Sequence, residues 1–167
     1  FRQCAAPPQP AAASCAAPPN AGEPAVSSPA SLPLEILESV KRGDLQKVIK
    51  WLRKGGQVGA FCSTVTSGGR ASTFTVLHAA AGCGQLEMVR MLLKRGASVD
   101  LPSGVGLTAL IEAAIHGHSS ILLLLLQHSA NPDLQNNEEG ITALISAAEQ
   151  GHEACVQALL RAKANTE

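Results

Sequence analysis

The sequence contains few aromatic residues and no excess of either charge. Its 167 residues include one Trp, three Phe and no Tyr, while thirteen Lys and Arg residues balance thirteen Asp and Glu residues. Proteins that hold single-stranded nucleic acid stack its bases on several aromatic side chains, which this composition cannot supply. The zero net charge also argues against a dense cationic coat for duplex DNA. We therefore do not expect a non-specific nucleic-acid binder.

Long apolar runs and clustered cysteines are absent as well. The longest apolar run, residues 121–126, is far shorter than the ~20 residues that span a membrane. The five cysteines have irregular spacings and no Cys-x-x-Cys pair, which argues against a disulfide framework or a zinc site. Reduced thiols are typical of cytoplasmic and nuclear proteins, so we predict one of these two locations.

The sequence also lacks the short motifs of common enzymes. It contains no Gly-x-Ser-x-Gly, no His-Glu-x-x-His, no phosphate-binding loop and no dinucleotide fingerprint. His116 and His118 are close in sequence, yet no second ligand pair has the spacing of a metal site. We predict a protein that is not an enzyme and has no cofactor, no metal site and no small-molecule substrate.

Residues 1–31 differ in composition from the rest of the chain. They contain ten Ala, seven Pro and two charged residues. Proline doublets prevent a helix, and the segment has too little apolar surface to offset the entropy of ordering. We predict a disordered tail without a docking motif, since no Pro-x-x-Pro is flanked by a basic residue. Because the sequence begins with Phe rather than Met, we also expect it to be part of a longer protein.

From residue 32 onwards the sequence repeats itself. Thr75, Thr108 and Thr142 each begin a copy of Thr-x-Leu followed by an alanine pair, and these copies lie 33 and 34 residues apart. Each continues with a glycine and an apolar segment that contains two adjacent leucines. Alanine pairs let helices approach closely, and the glycine can adopt the left-handed conformation that reverses the chain. One helix pair cannot cover its own apolar face, so the pattern predicts a solenoid of stacked pairs.

Residues 75–100 carry the fullest form of the pattern, including Thr75, Leu77, His78 and Gly84. In these residues the sequence resembles the ankyrin repeat family, and the likeness extends over about residues 32–167. The resemblance implies an all-α solenoid of about four stacked helix–turn–helix repeats behind a disordered N-terminal tail. We divide the chain into the tail (1–31), a degenerate first repeat (32–58), a Ser/Thr/Gly-rich insertion loop (59–74) and three further repeats (75–107, 108–141 and 142–167). The last repeat has no polar capping helix after it, although solenoid ends usually need one.

Two departures from the family pattern bear on stability. His78 is replaced by isoleucine in the third and fourth repeats, at Ile111 and Ile145. The glycine that closes the second helix of a repeat is replaced by Ser129 and Lys163 in those repeats. A residue with a side chain in the left-handed region costs about 1 kcal/mol. We therefore predict that the third and fourth repeats are less stable than the second.

The resemblance implies protein binding through the turn tips and the concave face, on which the first helix of each repeat is exposed. The turn-tip residues are Leu101, Pro102, Ser103, Val105, Gln135, Asn136, Asn137, Glu138 and Glu139. The first-helix residues are Ala79, Cys83, Glu112, Ile115, His116, Ser146, Glu149 and Gln150. We therefore expect a non-catalytic interaction module whose partner is a protein. The alternative is the targeting segment of a larger enzyme, such as a kinase or a ubiquitin ligase, with its catalytic domain outside this chain.

Several local features have two interpretations. Residues 59–74 are either a tolerated surface insertion or a recognition loop. Residues 121–126 are either a helix enclosed by its neighbours or an exposed patch for a partner. The six cations of the first repeat are either a solvated helix face or a nucleic-acid contact, and we favour the solvated face. These cations are Lys41, Arg42, Lys47, Lys50, Arg53 and Lys54.

The zero net charge conceals an asymmetry along the chain. Residues 32–95 contain ten Lys or Arg and four Asp or Glu, a net charge of +6, while residues 96–167 carry −6. Because a solenoid lays its sequence out along one axis, this division predicts a charge gradient between its ends. The gradient either arises by chance or orients a partner, which includes a second copy bound head to tail.

Overall fold

The computed structural model describes residues 32–65, 71–137 and 139–162. The predicted tail, Glu138 and Lys163 lie outside these residues. Within them the chain forms eight helices and one pair of strands. Every helix has seven or nine residues, which is the short length that a repeat of about 33 residues allows.

The helices form four antiparallel pairs that stack in sequence order. Their bounds are α1 (Leu34–Arg42), α2 (Leu45–Arg53), α3 (Val76–Gly82), α4 (Leu86–Lys94), α5 (Ala109–Ile115), α6 (Ser119–Gln127), α7 (Ala143–Glu149) and α8 (Glu153–Arg161). The first helices α1, α3, α5 and α7 contact one another in that order, and α4, α6 and α8 form a second row. The helical repeat solenoid that the sequence predicts is therefore confirmed.

The segment expected to be an insertion loop contains a β-hairpin instead. Strands β1 (Phe61–Val65) and β2 (Ala71–Thr75) pair in antiparallel register, with Ser63 opposite Thr73. The Ser, Thr and Gly content of residues 59–74 is typical of a loop, but the aromatic and β-branched residues of both strands favour extended backbone. The hairpin contacts the repeats on both sides, since the Leu32 N–H donates to the Phe61 carbonyl (2.9 Å) and the Gly104 N–H to the Thr73 carbonyl (2.7 Å).

The glycine between the two helices of each repeat reverses the chain as predicted. Gly43, Gly84, Gly117 and Gly151 all have φ between 72° and 79°, in the left-handed region. Packing imposes a second requirement, because a Cβ at Gly84 would lie 2.8 Å from Cε1 of His118 in the next repeat. Ser129 also has a left-handed backbone, with φ of 64°, and no other non-glycine residue among those described has a positive φ.

The core runs between the two rows of helices and continues from repeat to repeat. Helix α6 shows this best, because Ile121, Leu122, Leu124 and Leu125 are all buried. Leu123 is 46% exposed, on the side that faces away from the core. Since α6 contacts α4 and α8, residues 121–126 are an enclosed helix rather than a broad apolar patch.

Candidate functional site

A ladder of side-chain hydrogen bonds joins successive repeats at the residue that follows the inter-helix glycine. Gln85 Nε2 donates to the Lys41 carbonyl (3.3 Å), His118 Nε2 to the Gly82 carbonyl (3.1 Å) and His152 Nε2 to the Ile115 carbonyl (3.1 Å). Each acceptor lies two residues before the glycine of the preceding repeat. His118 and His152 therefore have a structural role in stacking. Within the described ranges, no three His, Cys, Asp or Glu side chains come together as a metal site requires.

His78 joins the second repeat to the third. The Thr75 N–H donates to Nδ1 (3.2 Å), so the proton is on Nε2, which donates to the Leu107 carbonyl (2.9 Å). The imidazole is buried, and this burial lowers its pKa below the ordinary value despite the opposing hydrogen bond to Leu107. A neutral ring suits both bonds, because protonation of Nδ1 would remove the acceptor for Thr75.

The turn tips are also connected to one another through the backbone. Gly104 donates to Thr73 on the hairpin, and the Asn137 N–H donates to the Val105 carbonyl (3.3 Å). The hairpin and the two following tips thus form a continuous row along the edge of the solenoid. Two of the predicted tip residues maintain the shape of this row. The Ser103 hydroxyl accepts from the Leu107 N–H (3.0 Å), and Asn136 Oδ1 accepts from the N–H groups of Glu139 and Ile141.

The predicted contact residues differ in their exposure. Ser103 and Ser146 are buried, so neither can contact a partner directly, and we remove both from the proposed surface. The family resemblance implies exposure at both positions, one in a turn tip and one on a first helix. Leu101, Val105, Glu112, Ile115 and Asn136 are half-buried, whereas Cys83, Pro102, His116, Gln135, Asn137, Glu139, Glu149 and Gln150 are exposed.

One pocket brings residues of the first helices together. We call it the first-helix pocket; its volume is about 180 Å³, and it lies between the end of α1, strand β2, helix α3 and helix α5. Four of the predicted residues line it, namely Ala79, Cys83, Glu112 and His116. The other lining residues are Lys41, Phe74, His78 and Gly82. Sequence reasoning does not connect Lys41 and Phe74 with this pocket, because Phe74 lies in the insertion and Lys41 belongs to the preceding repeat.

Glu112 is the acidic group of this pocket. Its side chain is 23% exposed, and Oε2 lies 3.8 Å from Nδ1 of His116. The same His116 nitrogen lies 2.9 Å from the Glu112 carbonyl, to which its N–H donates. Burial raises the pKa of the Glu112 carboxyl above its ordinary value, and the charge of His116 opposes this shift. The equivalent positions of the second and fourth repeats are Ala79 and Ser146, so among the last three repeats the third alone places a charge here.

Four of the six cations of the first repeat, Arg42, Lys47, Lys50 and Lys54, lie around a different depression. It has a volume of about 430 Å³ and is lined by residues of both α1 and α2, including Trp51 and Lys50, and by Lys54 directly after α2. Two cations of this region have acidic neighbours on their own helices or turns. Arg42 pairs with Glu38 (3.4 Å), and Lys47 pairs with Asp44 (3.6 Å).

The stacked helix pairs, the left-handed glycines and the inter-repeat hydrogen bonds define a helical repeat protein of the solenoid class. The sequence model described as "Ankyrin repeats (3 copies)" matches residues 36–136 and 77–167, which together cover most of the chain. The chain belongs to the ankyrin repeat family. Repeats of this family are themselves non-catalytic and imply interaction with other proteins.

Several curated proteins are similar to this chain over its repeats. XBOS33 of Oryza sativa subsp. japonica, named a probable E3 ubiquitin-protein ligase, is 41% identical over 37% of this chain and 13% of its own length. XBOS32 of the same organism, also named a probable E3 ubiquitin-protein ligase, is 32% identical over 58% of the chain and 18% of its own length. FPV014 of fowlpox virus, whose name describes an ankyrin repeat protein, is 34% identical over 64% of the chain and 23% of its own length. The chain thus spans less than a quarter of each of these relatives.

The helices of the described residues are all too short for a bilayer: none has the length and hydropathy needed to cross a membrane.

Proposed function

We propose that this chain is a non-catalytic module that binds a partner protein through its concave face, on which the first helices are exposed, and through the adjoining turn tips. The first-helix pocket carries the proposal, because it gathers Cys83, Glu112 and His116 from two repeats around one opening. The exposed tip residues Pro102, Asn137 and Glu139 lie on the row of turns that begins at strand β2, which also contributes Phe74 to the pocket. A single partner could therefore contact both surfaces at once.

Affinity capture with the full chain tests this surface. Lysate proteins bound by the wild type are compared with those bound by Glu139→Lys at a tip and Glu149→Lys on α7. The matched control is Glu87→Lys on α4, an exposed residue of the second helix row with the same charge change. We expect the first two variants to lose partners that the control retains. An identical captured set for all three variants would show that another surface binds.

A second candidate is a targeting segment of a larger enzyme, and the named relatives favour a ubiquitin ligase over a kinase. In that case the catalytic domain lies outside this chain. Reconstituted ubiquitin transfer, run with this chain and with its full-length parent, separates the two candidates. Transfer by the parent alone supports the targeting segment, whereas no transfer by either supports the independent module.

We also propose a location in the cytoplasm or the nucleus, which the unpaired thiols of Cys62, Cys83 and Cys155 support. We assign no cofactor or small-molecule substrate to it. Contact with nucleic acid through the first repeat stays a minor alternative. It requires binding in a filter assay that weakens steeply with salt, and we expect no such binding.

A further inference from the structure

We propose that the first-helix pocket receives a lysine or arginine side chain of the partner, with the Glu112 carboxylate as its counter-ion. This inference rests on the proposed function, since it names the chemical group that the binding surface recognises. Two features of the pocket carry it: the position of the carboxylate and the apolar lining.

The space in front of the carboxylate depends on Gly82. A Cβ at this position would lie 3.3 Å from Glu112 Oε2 and 3.6 Å from Cε1 of His116. The missing side chain therefore leaves room beside the carboxylate, at the last residue of α3. Because Glu112 projects from α5 towards this gap, the third repeat supplies the charge and the second repeat supplies the space.

The carboxylate is largely removed from water without a permanent cation beside it. Among the described residues its ion-pair partner is His116, and no Lys or Arg nitrogen comes within ion-pair distance. A carboxylate in this situation loses hydration, and a permanently charged guanidinium or ammonium group can restore the lost stabilisation. Burial already disfavours the charged form of Glu112, so an entering cation would relieve that cost.

The lining fits the rest of a basic side chain. Phe74 and Ala79 provide apolar surface for the methylene groups of Lys or Arg, which commonly lie along such surfaces with the charged head at a polar group. Lys41 at the rim has the same sign of charge as the entering side chain, but it is exposed and can point into solvent. Six of the eight lining residues belong to residues 32–95, which carry a net charge of +6, so the attraction for a cation comes from the Glu112 carboxylate itself and not from the charge of the whole array.

Small side-chain analogues test the chemistry without a known partner. We would titrate the full isotope-labelled chain with n-propylguanidinium chloride, n-butylammonium chloride, sodium butyrate and 1-butanol, and follow the backbone amides of Ala79, Cys83 and Glu112 by NMR. We expect saturable shifts with the two cations only. Equal or stronger shifts with butyrate would instead mark an anion site formed by Lys41 and His116, and would overturn the proposal.

Three variants sharpen this result. Glu112→Gln keeps the shape but removes the charge, and should weaken cation binding at least about tenfold, as expected for loss of a charge-assisted hydrogen bond. Gly82→Ala should also weaken binding because its methyl group fills the gap, while thermal stability is retained since Ala favours a helix more than Gly. The control Glu87→Gln removes an exposed charge of α4, outside the proposed surface, and should leave binding unchanged. Unaltered binding in Glu112→Gln would overturn the proposal.

Comparison with the capture experiment separates this inference from the proposed function. If Glu112→Gln captures the same partners as the wild type while the surface variants lose them, the module binds proteins but not through this ion pair. If the analogues bind in a Glu112-dependent way while no surface variant loses a partner, the pocket is a cation site and the proposed interaction surface is wrong.

Discussion

The second and fourth repeats share one sequence motif but differ in what surrounds them. Helix α3 lies between α1 and α5, whereas α7 contacts only α5 among the described first helices. The second of the two adjacent leucines in the second helix differs accordingly: Leu93 in α4 is 8% exposed and Leu160 in α8 is 48% exposed. At the histidine position, His78 is buried and hydrogen-bonded at both ring nitrogens, while Ile145 is 42% exposed. Equivalent residues in a solenoid thus contribute to stability according to their neighbours rather than their type.

Substitution of His78, which joins the second repeat to the third, should have the largest effect on stability. His78→Ala leaves the Leu107 carbonyl and the Thr75 N–H without their partner and opens a cavity, so we expect a loss of about 2–4 kcal/mol in the free energy of unfolding. Ile145→Ala at the equivalent position should cost about 1 kcal/mol or less, because the side chain is partly exposed. Urea denaturation of both variants measures the difference. Equal losses would mean that position in the array does not matter.

Native-state hydrogen exchange should show the same contrast without mutation. We expect the slowest amides of α3 and α4 to be protected at least about tenfold more than those of α7 and α8, because an end repeat can open without its neighbours. Amides of α5 and α6 should fall between these limits. Greatest protection in α7 and α8 would contradict the predicted order of stability.

Substitution of Ser129, which has a left-handed backbone, should change the free energy of unfolding by a smaller amount and in the opposite direction. Ser129→Gly removes the side chain at φ of 64° and should raise the free energy of unfolding by about 1 kcal/mol. Ser120→Gly, in the first turn of α6, is the matched control and should lower it by a few tenths to about 1 kcal/mol, because Gly disfavours a helix. A thermal or urea melt that ranks the two variants the other way round would reject the strain at Ser129.

Of these effects on stability, we expect that of pH to be the smallest. Burial lowers the pKa of His78 in the folded chain, so the unfolded chain, with an ordinary value near 6.5, binds the proton more readily. Stability should therefore fall as the pH drops through about 6.5, and level off below the folded pKa. Urea midpoints at pH 7.5 and 5.5 should differ more for the wild type than for His78→Gln. The same pH dependence in both would assign the effect to another group.

The repeated architecture could be predicted from the sequence because its signals are local. The spacing of Thr75, Thr108 and Thr142 and the inter-helix glycines each specify a conformation within a few residues. The left-handed Ser129 follows from the same alignment. The hairpin could not be distinguished from a loop by composition, since Ser, Thr and Gly are common in both and the segment contains few Phe and Val residues.

The site was less predictable because stacking, rather than sequence spacing, brings its parts together. Lys41, Phe74 and Glu112 belong to three parts of the chain and meet in one pocket. Ser103 and Ser146 have side chains typical of a surface, yet the turns and helices around them cover both. The acceptors of the inter-repeat ladder are backbone carbonyls, which carry no sequence signal at all.

That ladder has a consequence for how the chain tolerates change in length. Its three hydrogen bonds connect residues that are 44, 36 and 37 positions apart, and the longest separation includes the hairpin. The bond from Gln85 to Lys41 nevertheless joins the same two places in the repeat as the others do. The distance from one repeat to the next is therefore set by contacts between the stacked repeats and not by the number of residues that connect them. A segment of a different length, inserted where the hairpin stands, would leave the spacing of the helices intact.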